Sequence, residues 1–511
     1  MLVKVYGSAV FGVGATTITI EVNVSRGAKF ILVGLPDNAV KESKPRIHVA
    51  LYNQGFRWPG FKVVVNMSPA DIRKEGSAYD LPIAMGVLVG SKQLVAENIA
   101  DFVIMGELSL DGTILPIKGA LPIAIQARKE GFKGLILPAK NAKEAAIVDN
   151  IDVYGMSTIE ELSRFFKNPE EFKPVFVDTR ALFREEQSSM KNDFSEVKGQ
   201  ENIKRALEIA AAGGHNVILI GPPGSGKTML AKRFPSILPP LSLAEALETT
   251  KIHSVAGRLN GNASLIALRP FRSPHHTISD VALVGGGTVP QPGEISLAHN
   301  GVLFLDELPE FKRTVLEVMR QPLEDRQITI SRSRFSIDYP ASFTLVASMN
   351  PCPCGYYNHP DKQCVCAPGL VQKYLNRISG PLLDRIDLHV EVTPVSFDEM
   401  IDSELSESSA IIRKRVVQAR ERQEERFQEH QFYSNAQMDT AVLKKYCTIN
   451  DESLSMLKLA MEKLNLSARA YDRILKVSRT IADLDGSDRI ETVHLAEAIH
   501  YRNLDREAWA G

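Results

Sequence analysis

A glycine-rich stretch in the middle of the chain has the residue types and spacing that suit phosphate binding. Residues 221–228 match the pattern G-x-x-x-x-G-K-[S/T] and stand between a strand-like apolar run and a helix-like segment. Glycines let backbone N–H groups converge on phosphate oxygens, and the N-terminus of the following helix adds partial positive charge. The pattern predicts a nucleotide site formed by Gly221, Pro222, Pro223, Gly224, Ser225, Gly226, Lys227 and Thr228. Within it, Lys227 is expected to reach the β- and γ-phosphates and Thr228 to bind Mg²⁺.

Two carboxylates and an amide follow two further apolar runs. Asp306 and Glu307 come directly after Val302–Leu305, which reads as a buried strand, and Asn350 ends the apolar run 343–349. We expect Asp306 to hold Mg²⁺ through water and Glu307 to act as a general base toward the attacking water. Asn350 could orient that water beside the γ-phosphate, although a turn residue at a strand end is the alternative.

Three arginines could complete such a site. Arg385 could stabilise charge on the γ-phosphate of a neighbouring chain; the alternative is a surface salt bridge with Asp384 or Asp387. Arg469 and Arg473 lie near the start of a predicted helix and could reach the nucleotide from a lid. Their alternative is a solvated basic helix face.

Four of the five cysteines form two close pairs, Cys352/Cys354 and Cys364/Cys366, around a polar loop. In a chain with few cysteines, such pairs predict tetrahedral Zn²⁺ ligation more than disulfides. Four reduced thiols without a metal are the alternative. His275 and His276 are adjacent, which is a poor spacing for one metal, so a structural or interface role is favoured.

The elements around these residues suggest an α/β protein of about three domains. Residues 1–165 read as α+β, and 166–193 read as a polar linker. Strands and helices alternate over 194–395, which predicts a parallel sheet with helices on both faces, and 396–511 read as helical. Predicted elements include helices Ala120–Lys129 and Ser408–His430 and strand Val217–Ile220.

Composition limits the class of protein. The formal net charge is −1, which excludes a globally basic nucleic-acid coat but not a local basic surface. No apolar run reaches the roughly 20 residues needed to span a bilayer, and the N-terminus alternates like a strand and not like a signal peptide. We therefore expect no membrane partner and a cytoplasmic location.

Several specific segments, in this order, resemble an AAA+ ATPase of the magnesium-chelatase-like branch, and most closely the ComM/YifB family. The segments are Arg269–Thr277, Ala282–Gly287, Pro292–His299, Leu305–Phe311 and Met349–Gly355. The resemblance implies an AAA+ core with a helical lid that binds ATP and Mg²⁺. It also implies that Asn350 is the sensor-1 residue, Arg385 the arginine finger and Arg469 the sensor-2 arginine. Family members are described as hexameric ring helicases that drive DNA branch migration during natural transformation.

The same branch includes helicases with two loops that point into the channel of the ring. Gly285–Gly293 stands where a helix-2 insert is expected, and Ile328–Ile337 alternates like a hairpin where a pre-sensor-1 hairpin belongs. Arg332 and Arg334 of this hairpin could contact DNA phosphates. An exposed hairpin with solvated arginines is the alternative.

The first 165 residues resemble the Lon protease domain, which has a ribosomal-S5-domain-2-like fold and a Ser-Lys dyad. Ala78 stands where the serine is expected and Leu121 where the lysine is expected. Neighbouring Ser77 would lack a positioned base, so we predict a proteolytically inactive domain.

The leading hypothesis is therefore an ATP-driven, hexameric DNA motor that acts on single-stranded or branched DNA. The alternatives are a magnesium-chelatase-like ATPase and a protein-remodelling AAA+ ATPase without a DNA role.

Overall fold

The structure is a computed structural model. It describes residues 1–187, 192–259, 264–287, 290–332, 335–357, 359, 362–394, 406–430, 432–464 and 466–502.

The N-terminal unit is built on a seven-stranded mixed sheet. Its strands are β1 (Leu2–Phe11), β2 (Gly14–Ser25), β3 (Phe30–Val33), β4 (Lys62–Ser68), β5 (Phe102–Ile104), β8 (Gly134–Pro138) and β9 (Asp152–Met156), with β6 (Glu107–Leu108) and β7 (Ile114–Leu115) pairing separately. The order in the large sheet is β3-β4-β2-β1-β5-β8-β9, with β1, β2 and β4 antiparallel. Alternating burial along β2 and β4 leaves one face for the core.

Helices cover this sheet. They are α1 (Asn38–Lys41), α2 (Ser43–Asn53), α3 (Asp80–Gly90), α4 (Ala120–Lys129), α5 (Ala139–Ala145), α6 (Ile159–Lys167) and α7 (Thr179–Gln187). The last of these lies inside the segment 166–193 that was predicted to be a linker. Leu182 and Phe183 of α7 pack against the N-terminal core, and this apolar pair in a charged stretch explains why a helix forms there.

The second unit is the α/β unit predicted from the alternating pattern. The strands of its sheet are β10 (Val217–Ile220), β11 (Phe271–Arg272), β14 (Val302–Leu305), β17 (Thr344–Met349) and β18 (Leu388–Glu391), in the order β11-β14-β17-β10-β18. Two hairpins lie outside this sheet: β12 (Gly285–Gly286) pairs with β13 (Gln291–Pro292), and β15 (Gln327–Arg332) pairs with β16 (Phe335–Pro340). The central strands are parallel and fully buried, which explains their continuous apolar runs.

The helices of this unit surround the parallel sheet. They are α8 (Glu201–Gly213), α9 (Lys227–Arg233), α10 (Leu243–Val255), α11 (Asp280–Val284), α12 (Glu294–Leu297), α13 (Arg313–Val318), α14 (Arg320–Asp325), α15 (Pro368–Leu375) and α16 (Gly380–Leu383). A capping box formed by Ser242 and Glu245 starts α10.

Among the described residues, five α-helices form the C-terminal unit. They are α17 (Ser409–Arg426), α18 (Thr440–Tyr446), α19 (Asp451–Lys463), α20 (Ala468–Leu484) and α21 (Thr492–His500). They share a hydrophobic core with α8, and the Gln423 side-chain amide donates to the carbonyl of Ala212 at 3.1 Å. The lid is therefore packed directly on the sheet unit. In the part of the chain that the structure describes, no helix has the length and apolar character needed to cross a membrane.

The N-terminal unit contacts the α/β unit at two places. At the first, Leu241, Ala246 and Leu265 join the N-terminal core, and α10 packs on α4. At the second, the turn between β1 and β2 lies on β16: a side chain at Gly12 would begin 3.0 Å from the Ile337 methyl carbon. The two units therefore share apolar surface.

Candidate active site

The glycine-rich loop connects the end of β10 to the start of α9. Gly224 and Gly226 have φ angles of 81° and 87°, a left-handed conformation that glycine adopts without steric cost. A side chain at Gly221 would begin 2.3 Å from the carbonyl oxygen of Val392, so this position also requires glycine. The sequence pattern thus coincides with the backbone geometry that a phosphate cradle needs.

Lys227 lies at the centre of the loop with its side chain largely buried. Its Nζ donates to the carbonyls of Gly221 and Pro222, each at 2.8 Å, and lies 3.2 Å from Oδ1 of Asn350. Burial lowers the pKa of Lys227, and the negative charges of Asp306 and Glu307 oppose this shift. The structure therefore brings together Lys227, which is predicted to bind phosphate, and Asn350, the predicted sensor-1 residue.

Asp306 lies at the carboxyl end of β14, where it contacts Thr228 at the end of the glycine-rich phosphate loop. The hydroxyl of Thr228 donates to its Oδ2 at 2.8 Å, and the hydroxyl of Ser348 donates to its Oδ1. A hydroxyl and a carboxylate so placed are oxygen ligands that suit Mg²⁺. Sequence reasoning did not single out Ser348, whose only signal is its position at the end of β17.

Glu307 has a left-handed backbone, with φ at 54°, which is uncommon for a residue other than glycine. Its side chain is 56% exposed, and its Oε2 lies 3.4 Å from Nδ1 of His276. His275 instead lies 2.9 Å from the Thr277 hydroxyl. The contact of His276 with the predicted general base was not predicted, because the two residues belong to different motifs.

Arg385 lies at the other end of the parallel sheet. It precedes β18, whose first residue pairs with the first residue of β10, whereas the phosphate loop follows the last residue of β10. One four-residue strand separates the two ends by roughly 13 Å. The Arg385 side chain is 6% exposed, and its Nη2 lies 2.5 Å from Oε1 of Glu324 and not against Asp384 or Asp387. Its role as an arginine finger stays a prediction.

Arg469 and Arg473 lie at this same end of the sheet. Nη1 of Arg473 donates to Asp387 Oδ1 at 2.8 Å, and Nη1 of the exposed Arg469 lies 3.9 Å from Asp384 Oδ2. Burial alone would raise the pKa of Asp387, but Arg473 and the hydrogen bond from His215 hold it well below its usual range. Within the part of the chain that the structure describes, neither arginine has a hydrogen bond or ion pair with the phosphate loop. Their contact with nucleotide stays a prediction.

Both predicted channel loops are hairpins, and they contact each other. The Tyr339 hydroxyl of β16 donates to the carbonyl of Pro290 at 2.9 Å, and a side chain at Gly285 would begin 3.0 Å from a methyl carbon of Ile330. Backbone pairing of β15 with β16 ends at Arg332. Arg334 and the side chain of Arg332 lie outside the described residues, so their DNA contacts stay a prediction.

The four clustered cysteines converge on one point. Sulfur-to-sulfur distances are 3.3 Å for Cys352–Cys354, 3.7 Å for Cys352–Cys364 and 3.6 Å for Cys354–Cys364, and Cys366 Sγ lies within 4.8 Å of the other three. Zn–S bonds of about 2.3 Å in a tetrahedron place sulfurs about 3.8 Å apart, so the set fits Zn²⁺.

The thiols of the cluster do not titrate alike. Burial acts to raise the pKa of Cys354, but hydrogen bonds from the backbone of Tyr356 and Val365 outweigh it and lower the pKa to about 6, whereas the pKa of Cys364 and of Cys366 is raised. Gly355 of this loop packs on the phosphate loop, since a side chain there would begin 2.5 Å from the Pro223 ring. The cysteine cluster is therefore next to the nucleotide site.

Three family profiles match the chain. "Magnesium chelatase, subunit ChlI" matches residues 193–400, "Subunit ChlI of Mg-chelatase" matches 20–141, and "Magnesium chelatase, subunit ChlI C-terminal" matches 406–502. "Competence protein ComM" of Haemophilus influenzae is 45% identical over 513 residues, which is 99% of this chain and 98% of that protein. The chain belongs to the ComM/YifB family of magnesium-chelatase-like proteins. "Uncharacterized protein YifB" of Escherichia coli is 44% identical over 512 residues, which is 98% of this chain and 97% of that protein.

Part of this ComM/YifB family chain is also similar in sequence to a protease. "Lon protease 2" of Bacillus subtilis is 32% identical over 157 residues, which is 28% of this chain and 27% of that protein. In the structure, Ala78 lies in the short turn Ser77–Tyr79, and Leu121 is fully buried in α4. Neither position carries a nucleophile or a base, and the inactive peptidase site stays a prediction.

Proposed function

We propose that this chain is an ATP-driven DNA motor, assembled as a hexameric ring, that promotes branch migration during the recombination that follows DNA uptake. The observation that carries the proposal is the position of Arg385. It lies at the end of the sheet opposite the phosphate loop, so a site that combines Lys227 with Arg385 needs two chains. Shared sites of this kind are typical of rings in which each subunit reads its neighbour's nucleotide.

Within one chain, the residues have distinct roles in ATP hydrolysis. Lys227 neutralises charge on the β- and γ-phosphates, and Thr228 and Asp306 hold Mg²⁺, which would neutralise further charge on the phosphates. Glu307 activates the attacking water, and Asn350 orients it. Arg385 of the neighbouring chain stabilises the charge that develops on the γ-phosphoryl group.

The two contacting hairpins support DNA as the partner of this motor. They lie at consecutive insertions of the α/β unit, and in the sequence Arg332 and Arg334 stand where β15 passes into β16. Copies from several subunits would form a ring of guanidinium groups that track phosphates without reading bases. The name of the Haemophilus influenzae relative, a competence protein, supports a role in DNA uptake.

The matching family profiles favour one alternative, a chelatase-like ATPase without a DNA role. Measuring ATP hydrolysis without DNA, with single-stranded DNA and with a four-way junction separates the two. We expect DNA to raise kcat, the variant R332A/R334A to lose this increase, and Lys227→Ala to be inactive throughout. The same kcat with every DNA would contradict the motor and favour the chelatase-like or protein-remodelling alternative. A branch-migration assay would follow a positive result.

A mixing experiment tests the shared site. Lys227→Ala should be inactive alone, and Arg385→Ala should keep only a small, measurable residual activity. If each site uses Lys227 of one chain and Arg385 of the next, about a quarter of the interfaces in an equal mixture are intact, and activity returns. If both residues served one site within one chain, the mixture would stay inactive.

A further inference from the structure

The side chain of Arg385 is held back within its own chain. Its Nη2 lies 2.5 Å from Oε1 of Glu324, and its Nη1 donates to the carbonyl of Pro381 at 2.5 Å. Only 6% of the Arg385 side chain is exposed, whereas Glu324 is 48% exposed. In this position the guanidinium cannot extend toward the nucleotide of a neighbouring chain.

Glu324 stands at the base of the β15–β16 hairpin. It belongs to α14, which ends at Asp325, and β15 begins at Gln327. Arg326 connects them with a left-handed backbone, φ 54°, and its carbonyl accepts from the amide of Ala341, just past the end of β16, at 2.8 Å. Because this connection is short and hydrogen-bonded, a displacement of the hairpin base moves Glu324 with it.

Space for the arginine to move exists beside this ion pair. A cavity of about 510 Å³ is lined by Glu324 and Arg385 together with Val284 of α11 and Ile328 of β15. The β15–β16 hairpin and the last residue of α11 therefore border the volume into which the guanidinium would swing. A displacement of the β15–β16 hairpin alters the walls of this cavity.

We propose that Glu324 is a positioning residue that restrains Arg385 until DNA displaces the β15–β16 hairpin. With the hairpin at rest, the ion pair keeps the guanidinium withdrawn. When the hairpin base shifts, Glu324 moves away and Arg385 is free to reach the neighbouring nucleotide. This inference rests on the proposed function, because it assigns to Arg385 a role in the neighbouring chain's ATP hydrolysis.

The test compares Glu324→Gln with Asp325→Asn, which removes the same charge one residue further on. Among the described ion pairs, Asp325 has none with Arg385. Loss of a partly exposed ion pair should raise kcat without DNA about 2- to 5-fold. At saturating DNA, kcat should match that of the unmodified chain, so the stimulation by DNA falls by the same factor. KM for ATP should not change, and Asp325→Asn should behave like the unmodified chain.

Combining Glu324→Gln with a substitution of Arg385 shows whether Glu324 acts through Arg385 or only through the local structure. Glu324→Gln should have no effect in the background of Arg385→Ala, or of Arg385→Lys if the alanine variant melts at a much lower temperature. An effect that persists in that background, or an unchanged DNA-free kcat in Glu324→Gln, would overturn the inference. Absence of DNA stimulation in the unmodified chain would instead count against the proposed function, while the DNA-free comparison would still report on Glu324.

Discussion

The backbone at Glu307 holds the predicted general base in a conformation that side chains seldom adopt. The left-handed φ of 54° is followed by the turn Leu308–Glu310, with Pro309 inside it. Strain of this kind is stored at sites where the surrounding structure fixes it. Nδ1 of His276 lies 3.4 Å from Oε2 of Glu307, so within the described part of the chain this ring restrains the Glu307 carboxylate.

At the residue scale, we predict that His276→Ala raises kcat for ATP hydrolysis in the absence of DNA. The contact is partly exposed, and such pairs contribute about 0.2–1 kcal/mol, which corresponds to an increase of up to about fivefold. His275→Ala is the matched control, because its ring contacts Thr277 and not Glu307. Steady-state kinetics would check this, and equal effects of the two substitutions would refute a specific role.

The residues that could be predicted from the sequence are those that directly follow a strand of the parallel sheet. The phosphate loop, Asp306 and Asn350 follow three strands of one parallel sheet, and the carboxyl ends of such strands meet at one edge. Ser348, His276 and Glu324 escaped prediction because each acts on a residue from another part of the chain. Only the folded sheet and its insertions reveal those pairs.

At the element scale, the cysteine loop is expected to bind one Zn²⁺ per chain. Cys354→Ser should reduce the zinc content, because the set of four thiolates would be broken. It should also raise KM for ATP, because Gly355 packs on Pro223 of the phosphate loop. Elemental analysis and kinetics would check both effects, with Cys447→Ala as a control outside the cluster. A metal-free, fully active unmodified protein would contradict the assignment.

The turn between β1 and β2 contacts the β15–β16 hairpin. Gly12 has a φ of 60° and lies against Ile337, so Gly12→Val combines backbone strain with a steric clash. We predict a loss of DNA stimulation with ATP binding retained, measured by DNA-dependent ATPase activity and nucleotide titration. Gly14→Ala is the control, because a side chain there would begin 3.7 Å from the Phe11 carbonyl oxygen, an ordinary van der Waals contact, and its φ is not in the left-handed region. Equal stimulation in both variants would argue against a role for this contact.

Element boundaries could be predicted where the local pattern was strong. Helix α4 and strand β10 have the predicted bounds, since apolar residues and glycines mark both ends. The charged helix predicted over 408–430 ends at Arg426, and α7 lies within the predicted linker. In both cases tertiary packing, and not the local pattern, decides where the helix lies.

At the scale of the whole molecule, Glu144 links the two main units. Its Oε1 accepts from the amide of Leu121 at 3.0 Å and from the Ser254 hydroxyl at 2.5 Å. Helix α4 begins after Gly119, which has no side chain to cap it, so Glu144 provides the acceptor. Glu144→Ala should therefore destabilise the protein by about 1–3 kcal/mol.

Thermal or urea unfolding, together with the control Lys143→Ala at an exposed neighbouring position, would measure this loss. We expect the transition of the whole chain to shift, because the N-terminal unit and α10 share one core. A shift confined to a separate N-terminal transition would contradict that coupling.

The shared core also has a consequence for synthesis. The N-terminal unit emerges from the ribosome first, yet Leu241, Ala246 and Leu265 complete its core. At about 5–20 residues per second, the hundred residues from 165 to 265 take roughly 5–20 s to be added. Throughout that interval the nascent chain presents an unfinished apolar face, so slowing translation between these positions should increase its dependence on chaperones.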